Sequence, residues 1–374
     1  MGRSFRDLSG QLWVHTHGRR GYPGGSSTDL AEGPNVVRSL ANAQPGVLQG
    51  WAVISEEGIT GQIRDLEGHL HPLSDLAVVG WPMKTPRRKT PPLGSRGIFG
   101  MLKEGRKRTK RYDRQSFLGQ DSQTIFENAN VGIVGLGGGG SHINQQLAHI
   151  GFQRVVLCDA DLVESTNLNR LVGGTLQDAR KKRPKVYVAN RLFKKLQPYA
   201  EIDDRPARWE EKREPLRDCD LIFGCLDSFS ARRDLEVFCR SLMIPIIDIG
   251  MAVLRPNGSA PEIRGQAIVS MPGEHCMHCL QFLTTENLAK EVQKYDASPQ
   301  AQVIWPNGVL ASTAVGYATA LLMAWSGPAA PSCRLDYRGS QMTINPSNLI
   351  TVLGTHKCAH FPLSQTGDPV LKKL

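Results

Sequence analysis

Along residues 130–250 short apolar runs alternate with longer amphipathic stretches. Val131–Val134, Arg154–Cys158, Asp220–Cys225 and Pro245–Ile249 each read as a buried strand, and Ser141–Ile150 reads as a helix between the first two. Strands that alternate with helices predict an α/β fold with a doubly wound, mostly parallel sheet of Rossmann-like type. The first 80 residues carry a different pattern. Gln11–His15 and Gly50–Ser55 are strand-like, and Val36–Asn42 suits a helix, which predicts a small α+β piece. Between the two lies a Pro-, Gly- and Arg/Lys-rich stretch without apolar periodicity. The expected organisation is therefore residues 1–83 as one domain, 84–110 as a basic linker, and 111–374 as the main domain. The charge-free run Gly308–Trp325 is long enough for a membrane span, but its Gly, Ala, Ser and Thr content favours a core helix, so no membrane partner is expected.

Composition changes this picture in one respect. The 374 residues carry a net charge of +10. The span Lys84–Arg114 holds 12 basic residues against the acids Glu104 and Asp113, so it carries the whole excess and the remainder balances. A global electrostatic case for a nucleic-acid partner fails, and none is expected. The eight cysteines form no regular framework and no apolar leader follows Met1, which suggests a reducing, cytoplasmic setting.

The candidate chemistry starts at the turn after the first parallel strand. Gly135, Gly137, Gly138 and Gly140 give a GxGxxG-type turn between strand and helix, where backbone N–H groups can meet phosphate. Asp159 follows Gly135 by 24 residues at the end of the next strand, the place of a ribose-binding acid. The loop from Asp159 to Arg170 then packs Asp161, Asn167 and Arg170 together. A dinucleotide oxidoreductase has no need of that cluster; a triphosphate with Mg²⁺ does. Lys185 at a helix start adds a cation, and Asp227 ends another strand on the same edge.

These residues resemble a known family. Arg111-Tyr112-Asp113-Arg114-Gln115, the glycine turn, Asp159 to Arg170, Lys185 and Cys225-Leu226-Asp227 follow the order of motifs in the adenylation domains of the ThiF/MoeB and ubiquitin-activating enzymes. The resemblance implies ATP and Mg²⁺ as cofactors, with Asp159 on the ribose and Asn167, Arg170 and Lys185 on the phosphates. It implies Asp227 on Mg²⁺, and Arg114 reaching a phosphate from the partner subunit of a homodimer. Thr166 and Leu171 depart from the family pattern, and the longer loop before Lys185 leaves Lys182 and Arg183 as alternatives for its role. The implied activity is adenylation of the C-terminal glycine of a ubiquitin-like protein, with a conjugating-enzyme homologue downstream. A bacterial ubiquitin-like conjugation system of the antiphage-defence kind is the expected context. Activation of a sulfur carrier and a non-enzymatic adaptor are the alternatives. No cysteine lies between Leu280 and Ser332 to accept the acyl group within the chain, so a partner's thiol is the expected acceptor.

Two metal sites are candidates. Cys276 and Cys279 have half-zinc-site spacing, and the resemblance suggests completion by Cys358 and His360. His15, His17 and Asp29 resemble the His-x-His and Ser-x-x-Asp motif of JAB/JAMM metalloproteases, which implies a second zinc. That family's general-base Glu is absent from the 14 residues before His15, so the expectation is a degenerate half-domain or a shortened start.

Overall fold

The structure is a computed structural model, and it describes residues 10–16, 27–55, 58–73, 110–119, 122–211, 213–254, 260–293, 301–323, 325, 332–354, 356 and 358–361. They fall into two units, one comprising residues within 10–73 together with 110–113 and one within 114–361.

In the smaller unit, strands β1 (Gly10–Thr16), β2 (Leu48–Ser55), β3 (Gly58–Arg64) and β4 (Leu70–Pro72) form a sheet in that order. β1 and β2 are parallel and joined through helix α1 (Ser27–Ala43); the other pairs are antiparallel. Val37 of the helix packs with Trp51 and Val53 of β2. Gly33 permits that packing, because a Cβ there would lie 2.4 Å from the Trp51 ring. The helix starts well before the expected Val36, since Ser27, Thr28 and Asp29 favour a first turn.

The larger unit is built on an eight-stranded sheet. Its strands are β5 (Asn130–Val134), β6 (Arg154–Cys158), β7 (Glu201–Arg205), β8 (Leu221–Gly224), β9 (Ile246–Leu254), β10 (Glu262–Ser270), β11 (Cys333–Arg338) and β12 (Thr343–Pro346). The order is β12-β11-β10-β9-β8-β5-β6-β7. The five strands from β7 to β9 are parallel, and β10, β11 and β12 extend the sheet antiparallel. The expected mixed α/β, Rossmann-like sheet is thus present. Strand order reverses between β6 and β8 on either side of β5, and such a switch point opens a crevice at the strands' carboxyl ends.

The helices are α2 (Ser122–Asn128), α3 (Gly138–Ile150), α4 (Leu176–Arg180), α5 (Lys185–Leu196), α6 (Phe229–Ser241), α7 (Thr285–Gln293), α8 (Ile304–Leu322) and α9 (Leu349–Leu353). One core joins β5, β6 and β10 to α3, α5 and α8 through Ile133, Leu147, Phe193, Leu310 and Leu321. The other joins β8 and β9 to α6 through Ile222, Leu235 and Phe238. The apolar run read at Gly308–Trp325 is α8, a core helix whose Ala311, Ala314 and Ala318 are fully buried. It begins at Ile304 because Pro306 is tolerated in a first turn. Among the described residues no helix is long and apolar enough to cross a membrane.

Candidate functional site

A cleft of about 410 Å³ opens at the carboxyl ends of β5, β6, β8 and β9. It brings together Gly135, Gly137, Gly138, Asp159, Asp161, Asn167, Arg170, Lys185 and Asp227, nearly the whole nucleotide set expected from the sequence. Gly140 lies one residue deeper, in α3, and serves packing: a Cβ there would meet Gly135 O at 1.9 Å. Gly135 sits at φ +90° against the Cys225 carbonyl, a conformation that a side chain would strain. Gly137 differs, for a Cβ there would meet nothing within 4 Å. It caps α3 without any side-chain hydrogen bond, so the N–H groups of the first turn stay open to a ligand.

The strand-end acid is fixed from two sides. Asp159 accepts hydrogen bonds from the N–H of Leu136 at 2.6 Å and of Asp161 at 2.7 Å. Burial pushes its carboxyl up from the usual range, while Lys185 and these two donors pull it back. Lys185 Nζ lies 2.6 Å from Asp161 Oδ2, and the Lys185 N–H donates to the Asp161 carbonyl at 3.0 Å. The ammonium is thereby held at the start of α5, after Pro184. Lys182 and Arg183 do not line the cleft; Arg183 instead lies 3.4 Å from Asp178. The geometry therefore favours Lys185 among the three candidates.

Asn167 accepts the Glu164 N–H and closes a short 3-10 turn, Ser165–Asn167. Arg170 donates to Thr166 O and Asn169 Oδ1, and among the described residues it pairs with no carboxylate. Burial lowers the proton affinity of its guanidinium. Asp227 is exposed in the cleft.

Arg114 is exposed on a short 3-10 helix, Lys110–Leu118, and does not line the cleft of its own chain. Its neighbour Gln115 anchors that helix by donating to Ile150 O at 2.8 Å.

Sequence reasoning missed several lining residues. Arg208, Trp209 and Glu210 follow β7, Gln302 and Asn307 stand near the start of α8, and Arg232 rises from α6. Arg232 pairs with Asp248, which is fully buried, and also donates to the Leu226 carbonyl. The pair was hidden because its halves sit on α6 and β9 and meet only when β8 and β9 align.

The four residues expected at a structural metal site do converge. The ligand atoms of Cys276, Cys279, Cys358 and His360 lie within 4.8 Å of one another. Cys276 and Cys279 sulfurs are 3.7 Å apart, Cys279 and Cys358 sulfurs 3.6 Å, and His360 Nδ1 is 3.6 Å and 3.4 Å from Cys276 and Cys279. Zn–S bonds of about 2.3 Å in a tetrahedron give S···S edges of about 3.8 Å, so the donor set fits zinc. The Cys279 N–H also points at Cys276 Sγ, 3.5 Å away, which organises the turn. Of the other candidate zinc set, Asp29 is buried in the first turn of α1, His15 belongs to β1, and His17 lies outside the described residues.

A glycine turn, a strand-end acid and the cations Arg170 and Lys185 line one crevice of a Rossmann-like α/β domain. More closely, the chain belongs to the ThiF family, which it matches over residues 112–350. It is 31% identical over 202 residues to the molybdopterin-synthase adenylyltransferase of Escherichia coli, covering 52% of this chain and 76% of that protein. It is 29% identical over 175 residues to the SAMP-activating enzyme E1 of Haloferax volcanii, covering 46% and 61%. Among solved structures, that of Escherichia coli MccB with AMPCPP and MccA superposes at TM-score 0.53 with 21% identity, covering 67% and 77%. This last likeness concerns the fold alone.

Proposed function

We propose that the chain adenylates the C-terminal glycine carboxylate of a ubiquitin-like protein. The single observation that supports this most is that Asn167, Arg170, Lys185, Asp159 and Asp227 line one cleft with the open Gly137 turn. ATP would lie with its ribose on Asp159 and its phosphates on the first turn of α3. Asp227 would hold Mg²⁺, which supplies charge neutralisation on the phosphates. The partner's carboxylate oxygen bonds to the α-phosphorus while the bond from that phosphorus to the leaving pyrophosphate breaks. Arg170 and Lys185 offset the charge gathering on the phosphoryl oxygens. The acyl adenylate then passes to a partner's thiol, since no cysteine stands between Leu280 and Ser332.

Relatives named as sulfur-carrier adenylyltransferases support a second reading, activation of a sulfur carrier, equally well. Both readings share the site and the first step and differ in the acceptor. A conjugating-enzyme homologue belongs to the first reading, a sulfur donor to the second. A bacterial conjugation system of the antiphage kind remains the context proposed with the first. Further proposals are a homodimer that places Arg114 in the partner's cleft, zinc on Cys276, Cys279, Cys358 and His360, and residues 1–83 as a JAB-like domain with zinc on His15, His17 and Asp29.

The test is ATP–pyrophosphate exchange in the presence of Gly-ending ubiquitin-like and sulfur-carrier proteins. Exchange that depends on the terminal glycine is the expected result. An adaptor would bind such partners yet exchange nothing, and that outcome would sink the proposal.

A further inference from the structure

Helix α6 carries three charged side chains on one buried stripe. Arg232, Glu236 and Arg240 are spaced by four and are 6%, 0% and 1% exposed. At 1.5 Å per residue the stripe spans about 12 Å. Replacing buried ion pairs by apolar groups is often neutral or stabilising, so stability alone gives little reason for three charges on one buried stripe. Their contacts supply another reason.

At one end, α6 starts directly after Asp227, with Ser228 Oγ accepting the Ala231 N–H at 3.1 Å. Arg232 fixes that loop by donating to the Leu226 carbonyl while it pairs with Asp248 of β9. At the other end, Arg240 donates to the carbonyls of Glu274 at 3.1 Å and His275 at 2.9 Å, just before Cys276. Glu236 Oε1 accepts the Met277 N–H at 2.9 Å, just after Cys276. Ser270 Oγ bridges the two, donating to Glu236 at 2.5 Å and accepting from Arg240 at 2.7 Å. The Arg240 guanidinium also lies over the ring of Phe361, next to His360, at 4.9 Å. Both limbs of the Cys/His centre therefore rest on one helix, and that helix also sets the loop of Asp227.

We propose that α6 is a strut between the two sites. Glu236 and Arg240 are positioning residues that hold the Cys276–Cys279 turn, and the order of that turn fixes the Asp227 loop at the nucleotide cleft. The part of this that concerns zinc rests on the zinc reading above.

The test uses the full chain. Zinc content is measured first, then hydrogen exchange is followed for peptides covering 225–228 and 274–280 before and after chelation. The expected result is faster exchange in both peptides after zinc is removed. Zinc present, with 225–228 unchanged on removal, overturns the strut. A chain that binds no zinc overturns the zinc reading instead, and the strut then stands or falls on variants. Arg240→Met, and the milder Ser270→Ala where the first does not fold, should loosen 274–280 and 225–228 together. Where zinc binds, its affinity should drop about 10- to 100-fold, as for other groups that orient metal ligands. Because Asp227 is the proposed Mg²⁺ ligand, Kd for Mg·ATP should rise while Kd for Mg-free ATP stays constant. A variant that loosens 274–280 but leaves 225–228 and both affinities unchanged overturns the proposal.

Discussion

Lys185 and Asp161 form a closed pair at the mouth of the cleft, with 2.6 Å between ammonium and carboxylate. The lysine side chain is 10% exposed and the aspartate 69%, so the carboxylate can swing away toward water while the ammonium stays in place. On the proposed function, an incoming phosphate would then take over the ammonium. Lys185→Ala should remove a charge-assisted hydrogen bond worth about 1.5–3 kcal/mol, a loss of about 10- to 100-fold in exchange activity. Asp161→Asn should cost less, because it leaves the cation in place. Steady-state exchange kinetics on the two variants check the order; equal losses would contradict it.

The glycines of the turn separate packing from binding. Gly140→Ala drives a Cβ to within 1.9 Å of Gly135 O and should destabilise the fold. Gly137→Ala has open space and should melt like the parent, yet its methyl stands beside the first turn of α3. The expected outcome is a raised KM for ATP with an unchanged Tm. A Gly137→Ala protein that binds ATP normally would place the phosphates elsewhere.

The unit β5–α3–β6 was legible in the sequence because its parts are local. A short apolar run, a glycine turn and a strand-end acid lie within about 30 residues, as a βαβ unit requires. Lys185 and Asp227 lie further along the chain and join the same cleft because one starts a helix and the other follows a strand at the sheet's carboxyl edge. What sequence could not carry is chemistry made by distant pairing. Arg232 and Asp248 meet across two elements, and Arg240 reaches carbonyls that have no signature in side-chain order. β7 (Glu201–Arg205) was unread because an edge strand with a half-buried pattern needs no apolar run. The antiparallel extension β10–β12 escaped because Gly265 interrupts its alternation; a Cβ at that position would lie 2.7 Å from Leu310 of α8. The Cys/His centre was half legible. The CxxC spacing is local, but Cys358 joins it across 79 residues and was expected only from the family resemblance.

Asp248 gives the stability of the fold a pH dependence. Burial pushes its carboxyl up to about 7, with Arg232 opposing the shift. An unfolded aspartate releases its proton near pH 4, so between about 4 and 7 the folded chain holds a proton that the unfolded chain does not. Stability from this group is therefore present at the acid end and falls as pH rises through that window. Asp248→Asn removes the titration, so the stability advantage of the parent over the variant should shrink from pH 4.5 to pH 7.5. Chemical denaturation at those two pH values measures it, and a growing advantage would show that the ion pair with Arg232 outweighs burial.

Arg114 poses the last question, because it stands on the surface and outside the cleft of its own chain. If it acts across a homodimer, two impaired variants should rescue each other. Arg114→Ala keeps a complete cleft but lacks the arginine it would lend. Lys185→Ala has a disabled cleft but an intact arginine. In a random mixture half of the dimers are mixed, and each mixed dimer holds one site with Lys185 on one chain and Arg114 from the other. About a quarter of the parental exchange activity should return after the subunits are unfolded and refolded together. An arginine acting within its own chain predicts no recovery, since every site then lacks one of the two cations. Measuring exchange in the co-refolded mixture, beside each variant refolded alone, separates the two geometries.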